Sequence, residues 1–176
     1  MNMARLDKQI NYWAHMLDES FGDQSNVPQY TGKLDGYKWV VYQRGNITEN
    51  QYIQTFDSEQ AAMQGAYDGW FDPEVDIFGA WYGDSKDWDD KLESNDAFEF
   101  FKKNKWITST DHTSFECTIG LVKIKSRDMQ KLIDLICNYP ESPGLKEFDG
   151  NNFTAIDLFE FGDNDEWDEF DKLTID

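Results

Sequence analysis

In this chain of 176 residues, 35 acidic side chains stand against 16 basic ones. The net charge of −19 lies far outside the magnitude of about 2–8 that solubility asks of a small domain. With 39% hydrophobic and 16% aromatic residues, the composition excludes a disordered acidic tail and suits one domain with a sizeable core.

The first element expected is a helix over residues 4–19, where Leu6, Ile10, Trp13 and Leu17 make one apolar stripe. Arg5, Asp7 and Lys8 break up any apolar leader and no later stretch has the length of a membrane span, so a cytoplasmic protein is expected. A polar loop with Gly22, Pro28, Gly32 and Gly36 leads to two β-rich runs, Tyr37–Gln43 and Gln51–Phe56. Joined through Arg44, Gly45 and Asn46, they read as a hairpin. Asp57 stands where a helix cap belongs, the box Asp57-Ser58-Glu59-Gln60 preceding Ala62, Met63, Ala66, Tyr67 and Trp70, with Pro73 as the stop.

The Gly- and Asp-rich middle predicts a short strand over Val75–Trp81 and a helical turn over Ser85–Glu93. A helix over Asp96–Lys105 follows, packed through Ala97, Phe98 and Phe101. Trp106–Ser109 and Phe115–Ile124 read as a second hairpin, with Phe115, Cys117, Ile119 and Leu121 alternating onto one face. Ser126 is expected to cap a helix carried by Met129, Leu132, Ile133 and Ile136 and ended by Pro140 and Pro143. A last strand over Asn152–Phe161 precedes an acidic end.

These elements give an α+β fold, helices packed on antiparallel hairpins, as one compact domain over residues 1–162 followed by an acidic C-terminal segment over 163–176. The order helix, hairpin, helix recurs across residues 4–70 and 85–139 and would fit two similar halves, 1–70 and 85–162, although the residues themselves do not repeat.

Motifs for chemistry are missing. Neither G-x-G-x-x-G nor G-x-x-x-x-G-K-S/T can be read anywhere. A calcium loop laid on Asp163–Thr174 fails, because Trp167 holds the fifth position, Asp168 the glycine position and Thr174 the final glutamate position. His15 and His112 lack metal-ligand company, Ser114 and Cys117 near His112 are no more than strand and loop chemistry, and Cys117 and Cys137 form no zinc or disulfide framework. Carboxylate pairs for glycoside hydrolysis are numerous, and none is singled out. Asn46-Ile47-Thr48 and Asn152-Phe153-Thr154 match the glycosylation pattern without an export signal to give it meaning. No enzyme, metal or cofactor is therefore expected.

The charge is concentrated. Residues 68–100 hold 11 acidic and 2 basic side chains, and residues 141–176 hold 12 and 2. The stretch 101–140 between them holds 4 and 7, its cations being Lys102, Lys103, Lys105, Lys123, Lys125, Arg127 and Lys131, which are expected on the face opposite the acids. At helical spacing of three and four, carboxylates lie about 5–6 Å apart and can imitate a row of phosphates. The surface expected to meet a partner comprises Asp72, Glu74, Asp76, Asp84, Asp87, Asp89, Asp90, Glu93, Asp96 and Glu99 in the first block. In the second it comprises Asp163, Asp165, Glu166, Asp168, Glu169 and Asp171, with Trp167 and Phe170 as rings that could anchor in a partner's pocket or fold back on the core.

In charge and size the chain resembles small acidic anti-restriction and anti-CRISPR inhibitors of phages and mobile elements, a resemblance of composition alone. The partner expected is a basic, nucleic-acid-binding enzyme or defence complex, with no direct nucleic acid and no membrane; a homodimer is compatible with the sequence. The alternatives are an immunity protein neutralising a basic toxin nuclease and an acidic scaffolding protein without inhibitory role.

Overall fold

The run Trp39-Val40-Val41-Tyr42 is β-branched and aromatic throughout, the mark of a strand covered on both faces. Strand β1 (Tyr37–Gly45) accordingly buries Val40 on one side of the sheet and Val41 on the other. The computed structural model describes residues 27–45, 51–74, 80–82, 91–92, 94–110, 116–140, 142–158 and 165–175. Within these, the first hairpin pairs β1 with β2 (Tyr52–Phe56), and α1 (Glu59–Ala66) passes directly into a π-helical turn at Tyr67–Phe71. Short strands β3 (Ala80–Tyr82) and β4 (Lys91–Leu92), helix α2 (Ser94–Asn104), and strands β5 (Trp106–Thr110) and β6 (Glu116–Lys125) follow. A 3₁₀ turn at Ser126–Asp128 opens α3 (Met129–Cys137), and β7 (Thr154–Ile156), α4 (Asp165–Leu173) and β8 (Thr174–Ile175) complete the order.

The protein is α+β, with one antiparallel sheet in the strand order β4-β3-β5-β6-β1-β2-β7. β8 pairs with β6 at Lys123 and Ile124, beyond the reach of β5, which begins opposite Gly120. Both faces are covered. On one, Val40, Ile53 and Ile124 meet Met129, Leu132, Ile133 and Ile136 of α3 and Trp167 and Phe170 of α4. On the other, Val41, Ile107, Cys117, Ile119 and Leu121 meet Ala62 and Ala66 of α1, Trp70 and Phe71 of the π turn, and Ala97 and Phe101 of α2. In the π turn the Asp72 amide reaches the Tyr67 carbonyl, five residues back, at 2.8 Å. That extra residue turns Trp70 inward, where its indole N–H donates to Gln43 Oε1 at 2.6 Å.

Several expectations need correction. The cap of α1 is Ser58, whose hydroxyl accepts from the Ala61 amide; Asp57 is drawn away by Lys38. Ser126 is buried and opens a 3₁₀ turn, and α3 starts only at Met129. Lys91 and Leu92 pair as a strand where a helical turn was expected. Of the described residues of the expected strand Asn152–Phe161, only Thr154–Ile156 pair as a strand, and Asp157 takes a positive φ of 53° that turns the chain; residues 159–161 lie outside the described residues. Residues 165–175 are not a separate tail: α4 packs into the core and β8 joins the sheet. A division into two helix-hairpin-helix halves is not confirmed, and the helix expected over residues 4–19 lies outside the described residues. No helix among the described residues is long and apolar enough to cross a membrane.

Gly120 on β6 faces Tyr42 on β1, and a Cβ there would fall inside the Tyr42 ring. Gly120→Val is expected to cost about 1–3 kcal/mol through overpacking. The check is a lower urea midpoint with an unchanged slope.

Candidate acidic interface

The second acidic block is folded, and its fold divides the residues. In α4, Glu166, Trp167 and Phe170 point inward at i, i+1 and i+4, while Asp168, Glu169 and Asp171 stay on the outside. Trp167 and Phe170 pack edge to face at 5.3 Å and both meet the Tyr42 ring, at 6.0 and 5.6 Å between centroids. These two rings therefore serve the core; neither is offered to a partner. Arg44 lies over the Trp167 ring at 5.3 Å, and one of its terminal nitrogens donates to both carboxylate oxygens of Asp171 at 3.0 and 3.1 Å. Lys172 donates to Glu169 at 2.7 Å, and this bond holds the ammonium pKa above its ordinary value.

The first block is described only in part. Asp96 and Glu99 are exposed on α2, and Glu99 takes Lys102 at 2.6 Å. Asp72 accepts from the Glu74 amide at 3.0 Å just after the π turn, and Glu74 is exposed. Asp76, Asp84, Asp87, Asp89, Asp90, Glu93 and Asp163 lie outside the described residues; Asp165 begins α4, and nothing of its side chain is described.

The cations of residues 101–140 do not act as one face. Lys102 serves Glu99, Lys105 reaches Glu59 at 2.8 Å, and Lys131 sits 3.3 Å from Asp128. Lys103, Lys123, Lys125 and Arg127 make no ion pair among the described residues.

Sequence reasoning missed a polar network built around the buried Lys38. Lys38 is 3% exposed, and its ammonium donates to Asp57 and, at 2.7 Å, to Asn151 Oδ1. Asp57 also accepts from the side-chain amides of Asn151 at 2.9 Å and Asn152 at 3.2 Å. The Lys38 hydrogen bond, followed by the two asparagine bonds and the nearby positive charge, holds its carboxyl below the ordinary value. Asn152 in turn accepts from Thr55, whose hydroxyl accepts from the Phe153 amide. A lysine in the middle of a β-run and an asparagine pair a hundred residues on are signals only once the register is known. Elsewhere, burial raises the Tyr42 phenol and pushes that of Tyr52 up to about 12.

Among the described residues no group of three or more His, Cys, Asp or Glu could hold a metal ion. Neither family models, curated proteins nor solved structures yield a match to the chain.

Two outcomes are expected. Phe170→Ala, at a fully buried site, should lower unfolding free energy by about 3–5 kcal/mol and free α4, read by denaturant titration and amide exchange of residues 165–175. Because the Asp57 carboxyl is depressed in the folded state, its contribution is complete above the ordinary carboxylate range and is lost as pH falls through the lower folded value. Asp57→Asn should therefore flatten the acid limb of the stability–pH curve; an acid limb unchanged by the substitution would contradict the assignment.

Proposed function

We propose that this protein is an acidic nucleic-acid mimic that occupies the basic groove of a DNA- or RNA-handling protein in the cytoplasm. It competes with that protein's substrate and does no chemistry of its own, in the manner of anti-restriction and anti-CRISPR inhibitors of phages and mobile elements. The observation that carries the reading is the concentration of charge on a shaped scaffold. Residues 141–176 hold 12 acids against 2 bases, and part of that block is a helix clamped to the core, with Asp168, Glu169 and Asp171 on its outer face.

An ordered polyanion differs from a solvated tail in what it loses on binding. A tail pays ordering entropy at the moment of association, whereas carboxylates already fixed on a helix do not. Electrostatic complementarity of this kind accelerates encounter with a basic groove and fades as salt rises. The two rings once expected as anchors are used by the core, so the interface rests on carboxylates and on the short exposed stretches around them.

The test uses a variant neutral at four exposed positions, Asp96→Asn, Glu99→Gln, Asp168→Asn and Glu169→Gln. Folding stability should stay within about 0.5 kcal/mol of the parent. Retention of nucleic-acid-handling proteins from lysate at low salt should weaken about tenfold or more, mainly through slower association. Equal capture by parent and variant, or capture insensitive to salt, would end the proposal.

A further inference from the structure

In a chain with 35 acids, several cations nonetheless stand without a carboxylate, and four of them lie in one corner. Arg44, Lys38, Lys102, Lys105, Lys131 and Lys172 are each in an ion pair. Lys33, Lys103, Lys123, Lys125, Arg127 and Lys146 are in none among the described residues, and Lys33, Lys123, Lys125 and Arg127 lie where β1 begins and β6 ends. The Ser126 amide donates to the Gly36 carbonyl at 2.9 Å and ties these two stretches together. Asp57 serves Lys38, Asp128 serves Lys131, and Asp35 is exposed without an ion pair among the described residues.

The same corner carries an exposed ring and a half-buried one. Tyr37 is 48% exposed, and Trp39, two residues along and thus on the same face of the sheet, is half-buried. Lys123, Trp39 and Phe56 form one row across three strands, and Lys125 with Tyr37 forms the next. The Lys123 ammonium sits 4.6 Å from the Tyr37 ring centre and 5.7 Å from that of Trp39. Flat rings on a sheet surface, with lysines in register beside them, offer stacking faces and phosphate partners together.

We propose that this aromatic–lysine shelf binds a segment of single-stranded nucleic acid, with bases stacked on Tyr37 and Trp39 and phosphates at Lys123 and Lys125. An acidic protein segment would satisfy the lysines but leave the rings without planar partners. The net charge of the chain opposes any polyanion, yet at physiological salt the screening length is about 8 Å and the local surface governs. Trp39 belongs with the core on one face of the sheet, and the acidic helix α4 packs on the other.

The experiment is anisotropy of a labelled, short single-stranded oligonucleotide titrated with the purified full chain, without any partner protein. It therefore stands or fails separately from the mimicry reading. Binding is expected near physiological salt, where the net charge is screened, and should weaken as salt rises further with a log–log slope of about −0.7 per phosphate neutralised. Removing one stacking ring costs about 1–3 kcal/mol, so Trp39→Ala should weaken binding about tenfold, with Trp39→Phe retaining most of it. The double reversal Lys123→Glu with Lys125→Glu, at partly exposed positions, should abolish binding while leaving the urea midpoint close to the parent, and it decides the matter if Trp39→Ala does not fold. No binding by the folded parent near physiological salt overturns the proposal, as does binding indifferent to the double reversal. Polyglutamate displacing the oligonucleotide as well as unlabelled oligonucleotide does would also overturn it and assign the shelf to an acidic protein.

Discussion

The contact on which the acidic surface depends is the seat of Trp167 and Phe170 against Tyr42. Carboxylates gathered on one helix repel each other, by about 0.2–0.5 kcal/mol for each like-charged pair one turn apart, as Asp168 and Asp171 are. Burying an aromatic side chain contributes about 1.5–3 kcal/mol, and α4 buries two. The apolar face therefore outweighs the repulsion of the polar face. Arg44 acts on both sides of that balance at once, its guanidinium lying over the Trp167 ring and its terminal nitrogen holding Asp171. The helix direction helps too: Asp165 and Glu166 fall in its first turn and Lys172 in its last, each the favourable end for its charge.

A second constraint organises the opposite edge of the same core. Lys38 occupies a position on β1 whose neighbours are apolar, and a buried ammonium is tolerated only when paired and hydrogen-bonded. Asp57 and Asn151 supply this, and Asn152 with Thr55 extends the network to the backbone at Phe153. The cluster joins the start of β1, the junction of β2 with α1, and the loop ahead of β7, three places that hydrophobic burial alone would leave free to slide. Polar specificity and apolar stabilisation are thus divided between different residues of the fold.

Legibility in the sequence followed the range of the interaction. Helix α3 could be read from Met129, Leu132, Ile133 and Ile136 because its apolar face is set by spacing within one element, and all four are buried. Both hairpins were legible for the same reason. The cap was not: Asp57 and Ser58 are both good caps, and the choice between them is made by Lys38, whose approach depends on strand register. The π turn was invisible because nothing local separates Trp70 turned outward from Trp70 bonded to Gln43. For the candidate interface, charge could be counted from composition, but the division of α4 into Glu166, Trp167 and Phe170 inside and Asp168, Glu169 and Asp171 outside needed a surface to pack against. The acidity of the segment suggested a tail; its i, i+1, i+4 pattern of Glu166, Trp167 and Phe170 was the available signal of a docked helix.

The pairing of cations carries the last step. Sequence distance would have the seven cations of residues 101–140 behave alike, yet the fold sorts them by element. Of those at helix ends, Lys102, Lys105 and Lys131 find carboxylates within a turn or across to α1, as helix geometry favours, and Lys103 stays exposed without one among the described residues. Those on β6, Lys123 and Lys125, stand beside rings on β1, because cross-strand neighbours in an antiparallel pair are fixed by register and not by charge. Register put Tyr37 and Trp39, and no acid, opposite Lys125 and Lys123. A chain dominated by one sign of charge thereby keeps a corner of the other sign, and the same pairing that builds the core determines where that corner lies.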